Sequence, residues 1–316
     1  MNINRIINVA FQIDIIESLD LKTDSTILFM YEAYIRGYNI FSYEPKNLSF
    51  CEGKVVARGV KISFVGLIPK PIRRQNLDLS NFDIIFIRQN PPFNMFYISA
   101  TYILDLLKKV IFINNPSGIR NSPEKLLTTY FPELIPPTII SRDIQVIQTF
   151  IKKYISVVLK PLYNFGGRGV LKLKSNNNNL FNILKILLKK IQEPIVIQKF
   201  LPEVYKGDIR ILLFNQEPVG AFRRVPKQND FRGNLIMGGR VEKYLLTNKD
   251  REICEVIKPI LKKHGLIFVG IDIINGFLIE INTTSPTGIN AFNKIENITL
   301  ESSLWDIIEK KFYFVG

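Results

Sequence analysis

Apolar residues in the first third of the chain fall into short blocks, separated by longer segments with a helical repeat. "RIINVAF" (5–11), "YNIFSYE" (38–44), "DIIFIRQ" (83–89) and "VIFIN" (110–114) read as strands. "DSTILFMYEAYIRGYN" (24–39) reads as a helix capped by Asp24 or Ser25, with Gly37 at its C-terminal end. "FNMFYISATYILDLLKK" (93–109) reads as a second helix, with Asn94 at its start. Strands alternating with helices predict an α/β fold with a doubly wound, mostly parallel sheet. The turn-forming "NNPSGIRNSPEK" (114–125) marks the boundary of this domain, placed at residue 121.

Beyond it the pattern predicts helices near 123–131, 143–154, 179–191 and 247–264. Strands are expected near 156–160, 169–174, 194–199, 208–214, 218–224 and through 268–282. Many are neighbours joined by short turns, so antiparallel pairing and an α+β second half are expected. "SNNNN" (175–179) reads as a polar loop without chemistry.

The strand pair in "FVGIDIINGFLIEINTTSP" (268–286) carries polar residues among isoleucines. Side chains alternate faces along a strand. A two-residue turn at Asn275-Gly276 would set Ile271 opposite Glu280 and mix acids into the apolar face. A three-residue turn, Ile274-Asn275-Gly276, pairs Ile273 with Phe277 and keeps the odd-numbered apolar residues on one side. Asp272, Leu278, Glu280 and Asn282 then share the other face. Two carboxylates that close repel unless something positive lies between them. Removing one charge is therefore expected to spare the fold. Oxygen-only ligands suit a hard cation such as Mg²⁺; a solvated strand face is the alternative.

Composition narrows the partners. With 42 Lys and Arg against 28 Asp and Glu, the net charge is +14. The Lys-Lys pairs at 108–109, 152–153, 189–190 and 262–263 are dispersed near expected helix ends, where cations meet the C-terminal dipole. The charge therefore argues for no nucleic-acid partner, and an anionic small substrate would exploit the same field. No apolar run approaches the ~18 residues of a membrane span, so no membrane partner is expected. "MNINRIINVAFQIDIIE" is interrupted by Asp14 and reads as a first strand rather than a signal peptide. Cys51 and Cys254 are the only cysteines, which excludes a disulfide framework and points to a reducing, cytoplasmic setting.

"VVLKPLYNFGGRGVLKLK" (157–174) is strand, glycine loop, strand. Gly166, Gly167 and Gly169 let backbone amides approach an anion, and Lys160 ends the first strand. The loop is neither a P-loop nor a Rossmann fingerprint, because a strand follows it. "AFRRVPKQNDFRGNLIMGGR" (221–240) supplies Arg223, Arg224, Arg232 and Arg240 in a segment of turn character. These arginines suit bidentate clamping of carboxylates or phosphates, or else a solvated basic loop.

In combination, "KTDST", "PPF", "ATYIL", "EKL", "KP…GG", "FLP…GD-R", "RGN…GGR", "GLIFVG-DII" and "EIN-TSPT" run from about residue 22 to 287. The chain resembles the ATP-grasp superfamily, and within it the bacterial glutathione synthetases. The resemblance implies a pre-ATP-grasp N-terminal domain, 1–121, and a two-lobed ATP-grasp domain, 122–316, with lobes of about 122–199 and 200–316. It implies that γ-glutamylcysteine, glycine and ATP yield glutathione, ADP and phosphate. By resemblance, Lys125 and Lys160 meet the phosphates, with Gly166 and Gly167 in a lid above them. Gln198, Lys199 and Leu201 lie at the adenine, and Asp208 holds the ribose. Asp272, Glu280 and Asn282 bind Mg²⁺, or Mn²⁺ in its place. Arg210, Arg224 and Arg232 hold substrate carboxylates and the developing phosphoryl charge. A homo-oligomer is implied as well.

Two stretches depart from the family pattern, in which acidic residues flank "PPF" and a basic then an acidic residue follow "SPTG". Here Gln89-Asn90 and Asn94 flank the first, and Asn290-Ala291 follow the second. The only histidine, His264, reads as a helix-end residue, which argues against histidine-based acid–base chemistry. Another ATP-grasp carboxylate–amine ligase, or a non-catalytic ATP-binding protein of the same fold, are the alternatives.

Overall fold

The computed structural model describes residues 6–21, 23–228, 230–233 and 238–315, with side chains to 311. The first section contains β1 (Asn8–Gln12), α1 (Ser25–Ile35), β2 (Asn39–Cys51), β3 (Lys54–Val65), β4 (Ile68–Asp78), β5 (Ile84–Ile87), α2 (Met95–Leu104), β6 (Ile111–Ile113) and α3 (Pro116–Arg120). Their six-stranded sheet has the order β4-β3-β2-β1-β5-β6. β1 pairs in parallel with β2 and β5, and β5 with β6, as the α/β pattern predicts. Asp24 caps α1 by accepting from Thr26 N, and Asn94 caps α2 through Tyr97 N.

The antiparallel meander β2-β3-β4 was not expected. Its register shifts between Tyr43 and Leu48 and again between Lys61 and Ile62. Each bulge reverses which residues face inward, so no uninterrupted alternation survives to be read.

The second section contains β7 (Thr138–Ser141), α4 (Ile144–Tyr154), β8 (Ser156–Pro161), β9 (Leu171–Lys174), α5 (Leu180–Lys190) and β10 (Ile195–Lys199). The sheet β7-β10-β8-β9 is antiparallel throughout. Ile147 and Ile151 of α4 and Leu184 of α5 pack on Val157, Leu159, Ile195 and Ile197, forming a core of its own. The helix expected near 123–131 is instead a turn followed by one 3₁₀ turn, Leu127–Tyr130.

The third section contains β11 (Asp208–Phe214), β12 (Glu217–Val225), β13 (Arg240–Lys243), α6 (Asn248–Lys263), β14 (Phe268–Ile274), β15 (Phe277–Asn282), α7 (Ile289–Glu296) and α8 (Leu300–Val315). Its sheet order is β13-β12-β11-β14-β15. Arg223 and Arg224 sit in the strand expected near 218–224, while Arg240 opens another strand, which corrects its assignment to a segment of turn character. Hydrophobic clusters run from the first section to the third. One joins Phe11, Phe29 and Phe86 to Phe214, Phe268, Leu304 and Trp305. Trp305 Nε1 donates to Phe29 O at 3.0 Å, and Arg36 of α1 pairs with Asp306 and Glu309 of α8. Among the described residues no helix is long and apolar enough to cross a membrane.

The β14–β15 hairpin corrects the expected turn. Ile274 pairs with Phe277 across a two-residue turn, with Asn275 at φ 50° and Gly276 at φ 74°. Two left-handed residues make this the tight turn whose twist suits a hairpin. Ile273 then faces Leu278 and Asp272 faces Glu280, because the register shifts between them. Ile279 is the extra residue. The bulge, not the turn, restores the polar face. Leu278 is consequently buried beside Ile271, Ile273 and Ile281, while Ile279 turns to the cleft side, the reverse of the sequence-based expectation for both.

Candidate active site

Two adjoining clefts open where these sections meet. The first, of about 1010 Å³, is lined by Lys125, Lys160, Gly166, Gly167, Gln198, Lys199, Leu201, Asp208, Arg224, Arg232, Asp272, Glu280 and Asn282. All expected site residues except Arg210 are thus on its wall. Arg210 lines the second cleft, of about 1070 Å³, with Asp20, Asp24, Asn90, Thr284 and Thr287. Glu124, Phe165, Gly166, Arg224 and Asn282 belong to both walls.

The acids and arginines are interleaved by strand register. Asp208 pairs with Arg224 across β11–β12, and Arg210 with Asp272 across β11–β14. Arg210 donates Nε to Asp272 Oδ1 at 2.5 Å and Nη2 to Oδ2 at 3.0 Å. Its Nη1 donates to Thr287 O at 3.1 Å. Arg224 donates Nε to Asp208 Oδ1 at 3.0 Å, its Nη2 to Asp208 Oδ2, and that same Nη2 to Asp272 Oδ1 at 2.8 Å. Burial raises the Asp272 pKa, but Arg210 and Arg224 outweigh it and hold the carboxyl at about 2. Burial pushes the Asp208 carboxyl up against the pull of Arg224. Four charges in one dry row are tolerable only because each faces an opposite one.

Lys125 meets Glu280 at 2.9 Å and donates to Asn164 O at 2.7 Å and Leu162 O at 3.4 Å. It thereby ties the base of the glycine loop to β15. Burial works against its charge, but Glu280 and Glu124 outweigh that and raise its pKa. Lys160 donates to Gln198 Oε1 at 2.8 Å, and Gln198 in turn donates to Thr138 Oγ1 at 2.9 Å. Burial pushes Lys160 down to about 8. Burial and the neighbouring Glu280 push the Glu124 carboxyl up.

Val158, Phe200 and Val204, with Val170, Phe231 and Ile274, form an apolar cluster at one end of the first cleft. Such a slot suits a flat aromatic base. The glycine loop borders the same cleft, with Gly167 at φ 77°, a conformation that a β-carbon disfavours. Arg232 donates to Asp230 through Nε (3.0 Å) and Nη2 (2.8 Å), and its Nη1 lies 3.5 Å from Gly167 O.

The three residues expected to hold the metal lie together, with Asp272 paired to Arg210 and Arg224 and Glu280 to Lys125. Asp272 and Glu280 face each other in register. Asn282 donates its amide nitrogen to Gly270 O at 3.0 Å and Asp272 Oδ2 at 3.2 Å, which keeps the amide oxygen as acceptor. Among the described residues no three His, Cys, Asp or Glu side chains form a metal cluster. Mg²⁺ sites commonly combine one or two carboxylates with substrate oxygens.

Sequence reasoning missed Glu124, although "EKL" contains it, and the apolar slot, whose residues look like ordinary strand. Lys22 of "KTDST" and residues 234–237 of the arginine segment lie outside the described residues. His264 caps α6 and pairs through Nδ1 with Ser122 Oγ at 2.6 Å, away from both clefts.

The model of the prokaryotic glutathione synthetase N-terminal domain matches residues 7–120, and that of the prokaryotic glutathione synthetase ATP-grasp domain matches 124–297. The glutathione synthetase of Agrobacterium fabrum is 42% identical over 315 residues, covering 97% of this chain and 98% of that one. That of Brucella melitensis is 40% identical over 312 residues, covering 96% and 99%. Among solved structures, a macrocyclase from Microcystis aeruginosa MRC bound to its precursor peptide aligns with a TM-score of 0.66 at 14% identity. That alignment covers 96% of this chain and 100% of the macrocyclase, and shows a shared fold alone. With both domain models matched in order and relatives aligned end to end, this chain belongs to the prokaryotic glutathione synthetase family.

Proposed function

We propose that the chain is an ATP-dependent ligase joining γ-glutamylcysteine to glycine, with glutathione, ADP and phosphate as products. The observation that carries this reading is the shared wall of the two clefts. A nucleotide in the first presents its γ-phosphate to a carboxylate in the second, next to Arg224, Asn282 and Gly166.

A carboxylate becomes an electrophile once its oxygen is phosphorylated, and that transfer needs positioning and charge neutralisation rather than a protein nucleophile. Lys125 and Lys160 take the phosphates. Phe200 and its apolar neighbours hold the base, with Gln198, Lys199 and Leu201 at its edge and Asp208 at the ribose. Arg210 and Arg224 receive the dipeptide carboxylate, and Arg232 with the Gly166-Gly167 loop closes over the phosphates to exclude water. Asp272, Glu280 and Asn282 would hold Mg²⁺, with Mn²⁺ as a substitute. When bound, the metal neutralises charge on the phosphate oxygens. On this reading 122–316 is the nucleotide-binding part, with lobes 122–199 and 200–316, and 1–121 completes the acceptor cleft. Two thiols without a disulfide partner, Cys51 and Cys254, fit a cytoplasmic setting.

The test is a coupled ADP-release assay with ATP, Mg²⁺ and panels of acids and amines. Turnover should require γ-glutamylcysteine and glycine together. AMP as the main nucleotide product, or a preference for another acid, would overturn the reading. The second outcome would make the chain a different carboxylate–amine ligase. ATP binding with no turnover on any pair would make it a binding protein.

A further inference from the structure

The two clefts meet at a carboxylate that the reading above leaves without a task. Glu124 lines the first cleft, the second, and a narrow crevice beside them. Asp208, Asp272 and Glu280 line only the first, and Asp20 and Asp24 only the second. Among the described residues, Glu124 is therefore the one carboxylate that reaches both.

Its two oxygens are unequally engaged. Oε1 accepts from Thr283 N at 3.1 Å, Thr284 N at 3.2 Å and Thr284 Oγ1 at 2.7 Å. Among the described residues Oε2 has no hydrogen bond, and Glu124 makes no ion pair. The neighbouring lysine does not fill the gap. The three donors of the Lys125 ammonium go to Glu280, Asn164 O and Leu162 O. Three bonds to one oxygen stop the carboxylate from rotating, and the half-buried residue leaves its other oxygen at the junction.

We infer that Glu124 Oε2 receives the ammonium group of the incoming amine, a small amino-acid zwitterion, and holds it between the clefts. This rests on the ligase reading. An amine that attacks the activated carbonyl must sit where phosphate site and acceptor site meet. Arg210 and Arg224 border that point and repel an ammonium, whereas a fixed carboxylate oxygen with no cation bonded to it attracts one, and the ammonium in turn offsets the burial that pushes the Glu124 carboxyl up.

Glu124→Gln keeps an oxygen for the Thr283 and Thr284 donors and replaces Oε2 by an uncharged donor. The KM for glycine should rise about 30-fold, as for loss of a hydrogen bond between charged groups. The KM values for ATP and γ-glutamylcysteine should each move less than about threefold. Glu124→Asp, which keeps the charge and shortens its reach, should fall between, and serves also if the Gln variant folds poorly. Calorimetric titration of glycine into protein saturated with a non-hydrolysable ATP analogue and γ-glutamylcysteine should show the same weakening. A parallel rise in all three KM values would overturn the inference in favour of a role through Oε1 alone, positioning the exit of β15. An unaltered glycine KM would overturn it outright. A wild-type protein that uses a different amine would defeat the glycine reading instead, and the KM comparison is then made with that amine, so the two failures separate.

Discussion

Arg210 grips Asp272 through two parallel hydrogen bonds, at 2.5 and 3.0 Å, from the neighbouring strand. Arg224 holds the same carboxylate at 2.8 Å. The acid that the sequence marks as a metal ligand is thus also the counter-ion of two buried guanidiniums. This reverses one expectation. Removing its charge does not relieve repulsion; it strands cations.

Asp272→Asn should therefore lose both turnover and stability. Breaking a buried pair by removing one partner costs about 3–5 kcal/mol, to be measured from urea midpoints. Turnover should fall ~10²-fold or more. Glu280→Gln should cost comparable turnover but less stability, because Glu280 is less buried and its partner Lys125 has two carbonyl acceptors left. The double variant should be less than additive in turnover. A protein with Asp272→Asn as stable as the native one would refute the counter-ion role.

Lys160 gives a pH dependence with two signs. Its ammonium is held down at about 8 by burial. Below that it is charged and attracts phosphates; above it the attraction is lost. The KM for ATP should rise between about pH 7 and 9, and in Lys160→Arg, charged throughout, it should stay flat. Nucleotide-free stability should move the other way. Between about 8 and 10.5 the unfolded chain binds the extra proton, so stability gains with pH relative to Lys160→Met.

Gly167→Val forces a β-branched residue into φ 77°. The strain, about 1–3 kcal/mol, falls on a loop outside the core clusters. Thermal stability should shift little while kcat/KM drops at least ~10-fold. Equal losses in both would mark the loop as structural.

Arg224→Lys and Arg232→Lys should separate. The Arg224 side chain is 6% exposed and bridges Asp208 and Asp272, which one ammonium cannot match; stability and turnover should both fall. The Arg232 side chain is 29% exposed and pairs within its own loop. Its lysine variant should keep native stability and lose only turnover. Near-native kinetics for the Arg232 variant would count against a clamping role.

Periodicity exposed the helices bounded by Asp24 and Asn94 and the strands around Asp208 and Asp272, because one face of each is apolar and uninterrupted. It placed Asp272 and Glu280 on one face but through the wrong turn, since a bulge and an odd turn change parity alike. The β2-β3-β4 meander stayed hidden for the same reason. Alternation marked Asp272, Glu280 and Asn282, and the glycine loop marked Gly166, Gly167 and Lys160; the remaining site residues were named by resemblance. What neither could supply was pairing: nothing in the spacing of Arg210, Arg224, Asp208 and Asp272 says which charge faces which. That order comes from three strands hydrogen-bonding in register.

The cluster joining Phe29 and Phe86 to Leu304 and Trp305 bears on how the chain is made. Residues 1–121 leave the ribosome before α8 does, with one side of their sheet lacking the helix that covers it. That helix is translated after all three sheets, and until then Trp305 cannot reach Phe29. Contacts spanning so much of the chain fold slowly and leave apolar surface open in the meantime. A chain cut before residue 300 is expected to be a sticky fragment rather than a smaller folded domain.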